Sequence, residues 1–152
     1  MLKSKFAMLM VAGAVMTASS AAQSEDYGTA DEATALLEKA VGHVGSAGNE
    51  QAYTDFSTTG NDWQDRDLYV FCFDKDGKVV AHGANAKLIG KNLMKIKDAD
   101  GKMFIGELIS TGLGGGGWVD YRWPNPVSKK VEQKSSVVKQ AGADICGVGI
   151  YK

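Results

Sequence analysis

The sequence predicts an α+β domain, a five-stranded antiparallel sheet with helices packed on it. Three observations lead there: an apolar stripe of helical period after Thr29, a change to period-two alternation after Asp67, and short links between the last three strand-like runs.

The helix opens at "TADEATALLEKAVGHV", where Thr29 and Glu32 have capping-box spacing and Leu36, Ala40, Val44 and Ala47 recur at intervals of three and four. His43, on the edge of that stripe, is expected as a half-exposed packing residue. Gly48 and Asn49 break the chain, and Ala52, Tyr53 and Phe56 mark a second, short helix. "LYVFCF", "DKDG" and "KVVAH" then read as a β-hairpin, because the Asp-Gly pair supplies the positive backbone angles of a tight turn. A helical or irregular crossover follows, "GANAKLIGKNLMKIKDADGKMFIGELISTG". After it come "GWVDYRW", "KKVEQKSSVV" and "DICGVGIY", joined by "PNPVS" and "KQAGA" as an antiparallel meander. The order is helix, hairpin, helical crossover between strands two and three, meander.

The N-terminus reads as a secretory leader. Lys3 and Lys5 precede eleven uncharged residues, Phe6 to Met16, and Ser20 and Ala22 stand at −3 and −1 of a cleavage after Ala22. That predicts a cleaved signal peptide over residues 1–22, one domain over 23–152 and a periplasmic location. The apolar run is shorter than the ~20 residues a bilayer-spanning helix needs, so an uncleaved N-terminal anchor is the alternative. The mature chain loses two lysines, leaving 15 basic against 18 acidic side chains and no basic run beyond Lys129-Lys130. A nucleic-acid partner is excluded on that balance. Cys72 and Cys146 both lie in apolar strand-like runs of the mature chain. They are either a disulfide, as an oxidising compartment favours, or two buried thiols.

Several other chemistries fail on spacing. "IKDADGKMFIGE" places Asp98, Asp100, a glycine and Glu107 much as an EF-hand loop does, but its first position is Ile96 where a carboxylate belongs. No metal is expected there. "GLGGGG" precedes a strand and follows a helix, the reverse of the dinucleotide-binding order, and reads as a loop. There is no GK[ST], no H-E-x-x-H and no G-x-S-x-G, so neither an enzyme nor a cofactor is expected.

Taken in order, "DLYVFCFDKDGKVVAHGANAKLIGKNL", "KDADGKMF", "GWVDYRWPNP", Lys134 and the closing "GVGIY" resemble the single Cache domain, the extracytoplasmic sensor module of bacterial chemoreceptors and histidine kinases. The likeness covers nearly all of the mature chain. It implies a PAS-like fold with a long N-terminal helix behind the sheet and a small-molecule pocket between the sheet and the crossover. It also implies that "DADGK" leads into a helix whose N-terminus Asp98 and Asp100 cap and charge. In such a sheet the first strand lies beside the last, which would bring Cys72 and Cys146 together.

The site expectations start from "GWVDYRWPNP". Strand alternation puts Val119, Tyr121 and Trp123 on one face and Trp118, Asp120 and Arg122 on the other. Tyr121 and Trp123 offer two hydrogen-bonding tips on an apolar wall, which suits a small ligand with a polar head; the bland alternative is core packing. The resemblance implies that both line the pocket and that Lys134 meets an acidic ligand, although a solvated face would also accommodate a lysine. His82, at the end of the second strand, is a further donor candidate or a surface histidine. Two departures from the family pattern bear on pocket shape: Val137 replaces an aromatic, and "GADIC" lacks a tryptophan. The expected ligand is a small organic acid. Because the sequence ends at Lys152, just after the last strand, the expected partner is a separate membrane histidine kinase or chemoreceptor. The other class of function is a protein-interaction module that binds no metabolite.

Overall fold

The computed structural model describes residues 27–152, so the expected leader over 1–22 lies outside the described residues. Helix α1, Ala30–Ala47, starts where Thr29 and Glu32 close a reciprocal capping box: the Glu32 amide donates to Thr29 Oγ1 at 3.3 Å and the Thr29 amide to Glu32 Oε2 at 2.7 Å. Its buried stripe is Ala33, Leu37, Ala40 and Val44. That corrects the expected phase. Leu36 is only half-buried and Ala47, in the last turn before Gly48, is exposed, because the spacing from Ala33 to Val44 keeps one face on the sheet and leaves both at its margin. Helix α2, Asn49–Ser57, buries Ala52 and Phe56.

The strands are β1 (Gln64–Asp65), β2 (Leu68–Phe73), β3 (Val79–His82), β4 (Gly117–Pro124), β5 (Val131–Ala141) and β6 (Asp144–Tyr151). All pairings are antiparallel, in the order β3-β2-β6-β5-β4, with two-residue β1 beside the start of β2. The five expected strands are present, and β1 is the addition. Every residue of β2 is buried, because both sheet faces are covered. One face packs α1 and α2 onto Leu68, Val70, Cys72, Cys146 and Val148. The other packs helix α3, Ile105–Leu113, and the crossover residues Leu93 and Phe104 onto Tyr69, Phe71, Phe73, Val119, Tyr121 and Ile145.

The two cysteines are direct partners across β2 and β6, with α-carbons 4.1 Å apart, and a disulfide joins them under α1. The crossover is irregular apart from a 3-10 turn at Ala86–Leu88 and the α3 helix itself.

The "DADGK" loop does something other than cap α3. That helix begins at Ile105 after Phe104 with no side-chain cap, and Glu107 is the acid in its first turn. Asp98 instead accepts the amides of Asp100 and Lys102, each at 2.9 Å, on Oδ1, and the Arg122 amide at 3.0 Å on Oδ2. Lys102 donates to the Asp120 carbonyl at 2.6 Å. An Asx-type turn has thus won over a helix cap, because three backbone donors converge on Asp98 before the helix starts. Its lateral reach blunts the free edge of β4.

Mass spectrometry of exported protein, alkylated under denaturing conditions without reductant, is expected to find neither Cys72 nor Cys146 labelled. Replacing both by alanine is expected to cost on the order of 4 kcal/mol in denaturant unfolding, since the bridge closes a loop of sequence separation 74. Two alkylated cysteines would refute the bridge.

Candidate functional site

Lys134 sits mid-strand on β5, paired with Tyr121 of β4 on one side and Tyr151 of β6 on the other. The solvated face that a lysine suggests is not what forms here: it is 1% exposed. Its Nζ donates to Tyr69 Oη at 2.7 Å and lies 4.2 Å from that ring's centroid, 5.0 Å from Tyr151, 5.3 Å from Phe71 and 5.9 Å from Tyr121. Among the described residues no carboxylate is within ion-pair distance of it. The aromatic faces attract the cation but do not replace its lost hydration. Burial therefore lowers the ammonium pKa to about 7, against a partial upward pull from the charge of Asp67.

Glycine makes this placement possible. The Lys134 side chain runs across β6 at Gly149, where a β-carbon would collide with Lys134 Cε and Ser136 Oγ. Gly147 makes the same allowance for the Phe71 ring. These are the two glycines of "GVGIY".

The other three candidates converge on the same place. His82 is 4% exposed and meets the Tyr69 ring at a tilt, with centroids 5.0 Å apart. Its Nδ1 accepts the amides of Ala84 at 3.3 Å and Asn85 at 2.9 Å, which leaves the proton on Nε2. Burial, reinforced by the Lys134 charge, drives its pKa down to about 3, so the ring is a neutral donor. The Tyr121 hydroxyl pairs with Ser136 Oγ at 2.8 Å, and its ring stacks on Phe104 with centroids 4.2 Å apart and planes within 8°. Trp123 is half-buried and meets Phe104 edge-on at 5.5 Å. Arg122 faces away, its amide held by Asp98 and its guanidinium near the Val131 carbonyl at 3.4 Å. His43 is on the opposite side of the sheet, 2.7 Å from Asp55 and against Phe56 and Trp63.

Together Tyr121, Trp123, Lys134 and His82 line one cavity with Tyr69, Phe71, Phe73, Leu93, Phe104, Ile105 and Leu108. The open space in it is about 10 Å³, roughly one water. A wider cavity of about 240 Å³ adjoins it, sharing Tyr69, His82 and Trp123 and reaching Asn85, Asn125 and Lys129. Three shared side chains thus form the wall between an inner and an outer space. Burial raises the pKa values of Tyr69, Tyr121 and Tyr151, so all three phenols are neutral hydroxyls. Tyr69 and Phe104 line this cavity and Tyr151 contacts the ammonium, and the sequence reading picks out none of the three. Period-two parity in "LYVFCF" does place Tyr69 and Phe71 opposite Cys72, which is the available signal.

The Single Cache domain 2 family model matches residues 7–143. This chain belongs to that family. The match begins inside the segment read as a leader and runs up to the start of β6. Among curated relatives, the Cache chain is 33% identical over 88 residues to the sensor histidine kinase MctS of Rhizobium johnstonii, covering 57% of this chain and 19% of the kinase. It is 32% identical over 90 residues to the methyl-accepting chemotaxis protein McpP of Pseudomonas putida, covering 57% of this chain and 16% of the receptor. The aligned part is thus under a fifth of either relative. Among solved structures, a methyl-accepting chemotaxis protein from Vibrio parahaemolyticus superposes with a TM-score of 0.68 at 24% identity, over 80% of this chain and 86% of that one. A Cache chemosensory domain solved for its recognition of carboxylic acid superposes with a TM-score of 0.61 at 28% identity, over 78% of this chain and 84% of that one. The fold is that of chemoreceptor sensor domains. Among the described residues no helix is long and apolar enough to cross a membrane.

Replacing Lys134 by methionine is expected to raise unfolding stability, since it removes a buried, unpaired ammonium while keeping the aliphatic stem. The sign with pH follows from a folded-state pKa of about 7, below the ordinary lysine value of ~10.4. The unfolded chain binds the extra proton between those values, so wild-type stability recovers relative to Lys134→Met as pH rises from about 7 to 10. Urea unfolding of both proteins at pH 6, 8 and 10 measures the gap, which should be largest at pH 6 and close towards pH 10.

Proposed function

We propose that this Cache domain binds a small organic acid, whose carboxylate takes the place against Lys134 that no protein carboxylate occupies. The buried, unpaired ammonium carries the reading, because a desolvated cation in an aromatic enclosure gains most from an anion that arrives with its own apolar body. His82 Nε2 is the neutral donor left for the ligand's second oxygen, while Tyr69, Tyr121 and Trp123 would have to exchange their present bonds to Tyr151, Ser136 and Tyr69 to reach it. The inner space of about 10 Å³ is too small for any acid as it stands. Entry therefore requires Trp123, Tyr69 or His82 to swing towards the outer cavity. The carboxylic acid recognised by one structural neighbour supports the ligand class, and the names of the kinase and receptor relatives support a signalling role. In this reading the exported domain reports occupancy to a membrane histidine kinase or chemoreceptor. The tight inner space also favours a second reading, a protein-interaction module that takes no metabolite; flat titrations together with capture of a kinase ectodomain would select it.

A panel of short-chain carboxylates is expected to contain at least one that raises the melting temperature by mass action, with no gain in the Lys134→Met protein. Binding needs the ammonium, and a carboxylic acid is already ionised above about pH 5. Affinity by titration calorimetry should therefore be flat from pH 5.5 to about 7 and fall by up to tenfold per pH unit above it. A panel without any shift would sink the reading.

A further inference from the structure

Asp67 is a buried carboxylate that the ligand site does not use, and hydrogen bonds link it towards that site. It immediately precedes β2, the strand that carries Tyr69. Asp67 Oδ1 accepts the Gly28 amide at 2.7 Å, at the entry to α1, and Oδ2 faces Asn125 Nδ2 at 3.5 Å. Asn125 follows Pro124, whose carbonyl accepts the Tyr151 hydroxyl at 2.7 Å. Tyr151 lies 3.3 Å from the Tyr69 hydroxyl, which accepts from Lys134. A continuous polar path therefore joins Asp67 to the ammonium through two phenols and the Pro124–Asn125 corner.

We propose that Asp67 is the resident counter-charge of Lys134, a positioning residue that keeps the lysine an ammonium across the two-phenol gap and so sets the pH range over which the site accepts an anion. This rests on the acid-binding reading above for its consequence, but the charge pairing itself is independent of it.

The arrangement explains why the anion is held apart rather than in contact. A carboxylate touching Lys134 would fill the position an acid ligand needs and would compete with it. One placed beyond Tyr69 and Tyr151 stabilises the cation through a medium of low polarity while leaving the inner face of Nζ clear. The other titratable groups around Lys134 supply no comparable buried anion. His82 from β3 is neutral, and Tyr69, Tyr121 and Tyr151 from β2, β4 and β6 are neutral hydroxyls. Arg66, beside Asp67, is turned outward to Glu32 at 2.7 Å and Asp65 at 2.8 Å. Glu132 keeps its charge, with Ser128 at 2.7 Å and Tyr27 at 2.9 Å donating to it, but it is only half-buried, where solvent screens it. The charge of Asp67 pulls the Lys134 pKa upward, and burial raises the Asp67 pKa while the Gly28 amide, the Arg66 charge and Asn125 oppose that rise.

The test is an NMR titration of the ligand-free exported protein, following the Lys134 Nζ and Cε signals and the Asp67 carboxyl carbon from pH 5.5 to 9.5. The Asp67 carboxyl should be ionised at pH 6 and show a secondary step where Lys134 titrates, and that step should vanish in Lys134→Met. In Asp67→Asn the Lys134 midpoint should move to lower pH by about half to one unit, as removal of a nearby opposite charge requires. Sodium acetate titrations should move their high-pH break by the same amount, with affinity at pH 5.5 retained. If Asp67→Asn fails to fold, the wild-type and Lys134→Met carboxyl titrations decide alone. A flat or protonated Asp67 carboxyl across the Lys134 titration, or an unmoved Lys134 midpoint, overturns the proposal. Coupled titrations without binding of any carboxylate would sink the acid-binding reading and leave the charge pairing standing.

Discussion

The buried ammonium of Lys134, which no carboxylate touches among the described residues, is the constraint to which the rest of the pocket face conforms. A lysine in the middle of a five-stranded sheet has to lie along the surface, and it does so only because Gly149 leaves the adjacent strand bare beneath it. Its head group then requires aromatic faces and a phenol oxygen, which fixes tyrosines on β2, β4 and β6 around it. Those rings in turn need a lid. Phe104 stacks on Tyr121 and carries the crossover down onto the sheet, so the loop joining β3 to α3 closes over the cation.

The two faces of the sheet divide the work. The face under α1 and α2 is aliphatic and contains the Cys72–Cys146 bridge at its centre. The opposite face is aromatic and polar. Because β2 and β6 are shared by both, the covalent link on one side fixes the spacing of the two strands that present Tyr69, Phe71 and Tyr151 on the other. Chain stiffness and the aromatic enclosure of Lys134 thus occupy alternate residues of the same strands.

Much of this is legible in the sequence because strands obey a period of two. Alternation alone separates Tyr121 and Trp123 from Arg122, puts Lys134 with Ser136, and places each cysteine on an apolar face. The helix phase is less secure: Leu36 and Leu37 are both apolar, and only the position of the sheet decides that Leu37 is the buried one. The turn at Asp98 escapes a local pattern because one of the amides it accepts, that of Arg122, belongs to a strand 24 residues further along the chain. The burial of Lys134 and His82 is open for the same reason. No neighbour in their own segments announces that three tyrosines from elsewhere will enclose them.

The Asp98 turn carries a further implication for how this domain meets other molecules. An open β-strand margin invites a foreign strand to join it, and a domain of an extracytoplasmic sensor family meets many extended chains. Here the Arg122 amide and the Asp120 carbonyl are already engaged by the chain's own loop, and Pro124 has no amide to offer. Main-chain templating along this half of the strand is closed off. Recognition there must proceed through side-chain shape and charge, which different partners can be told apart by, rather than through the backbone, which every polypeptide shares.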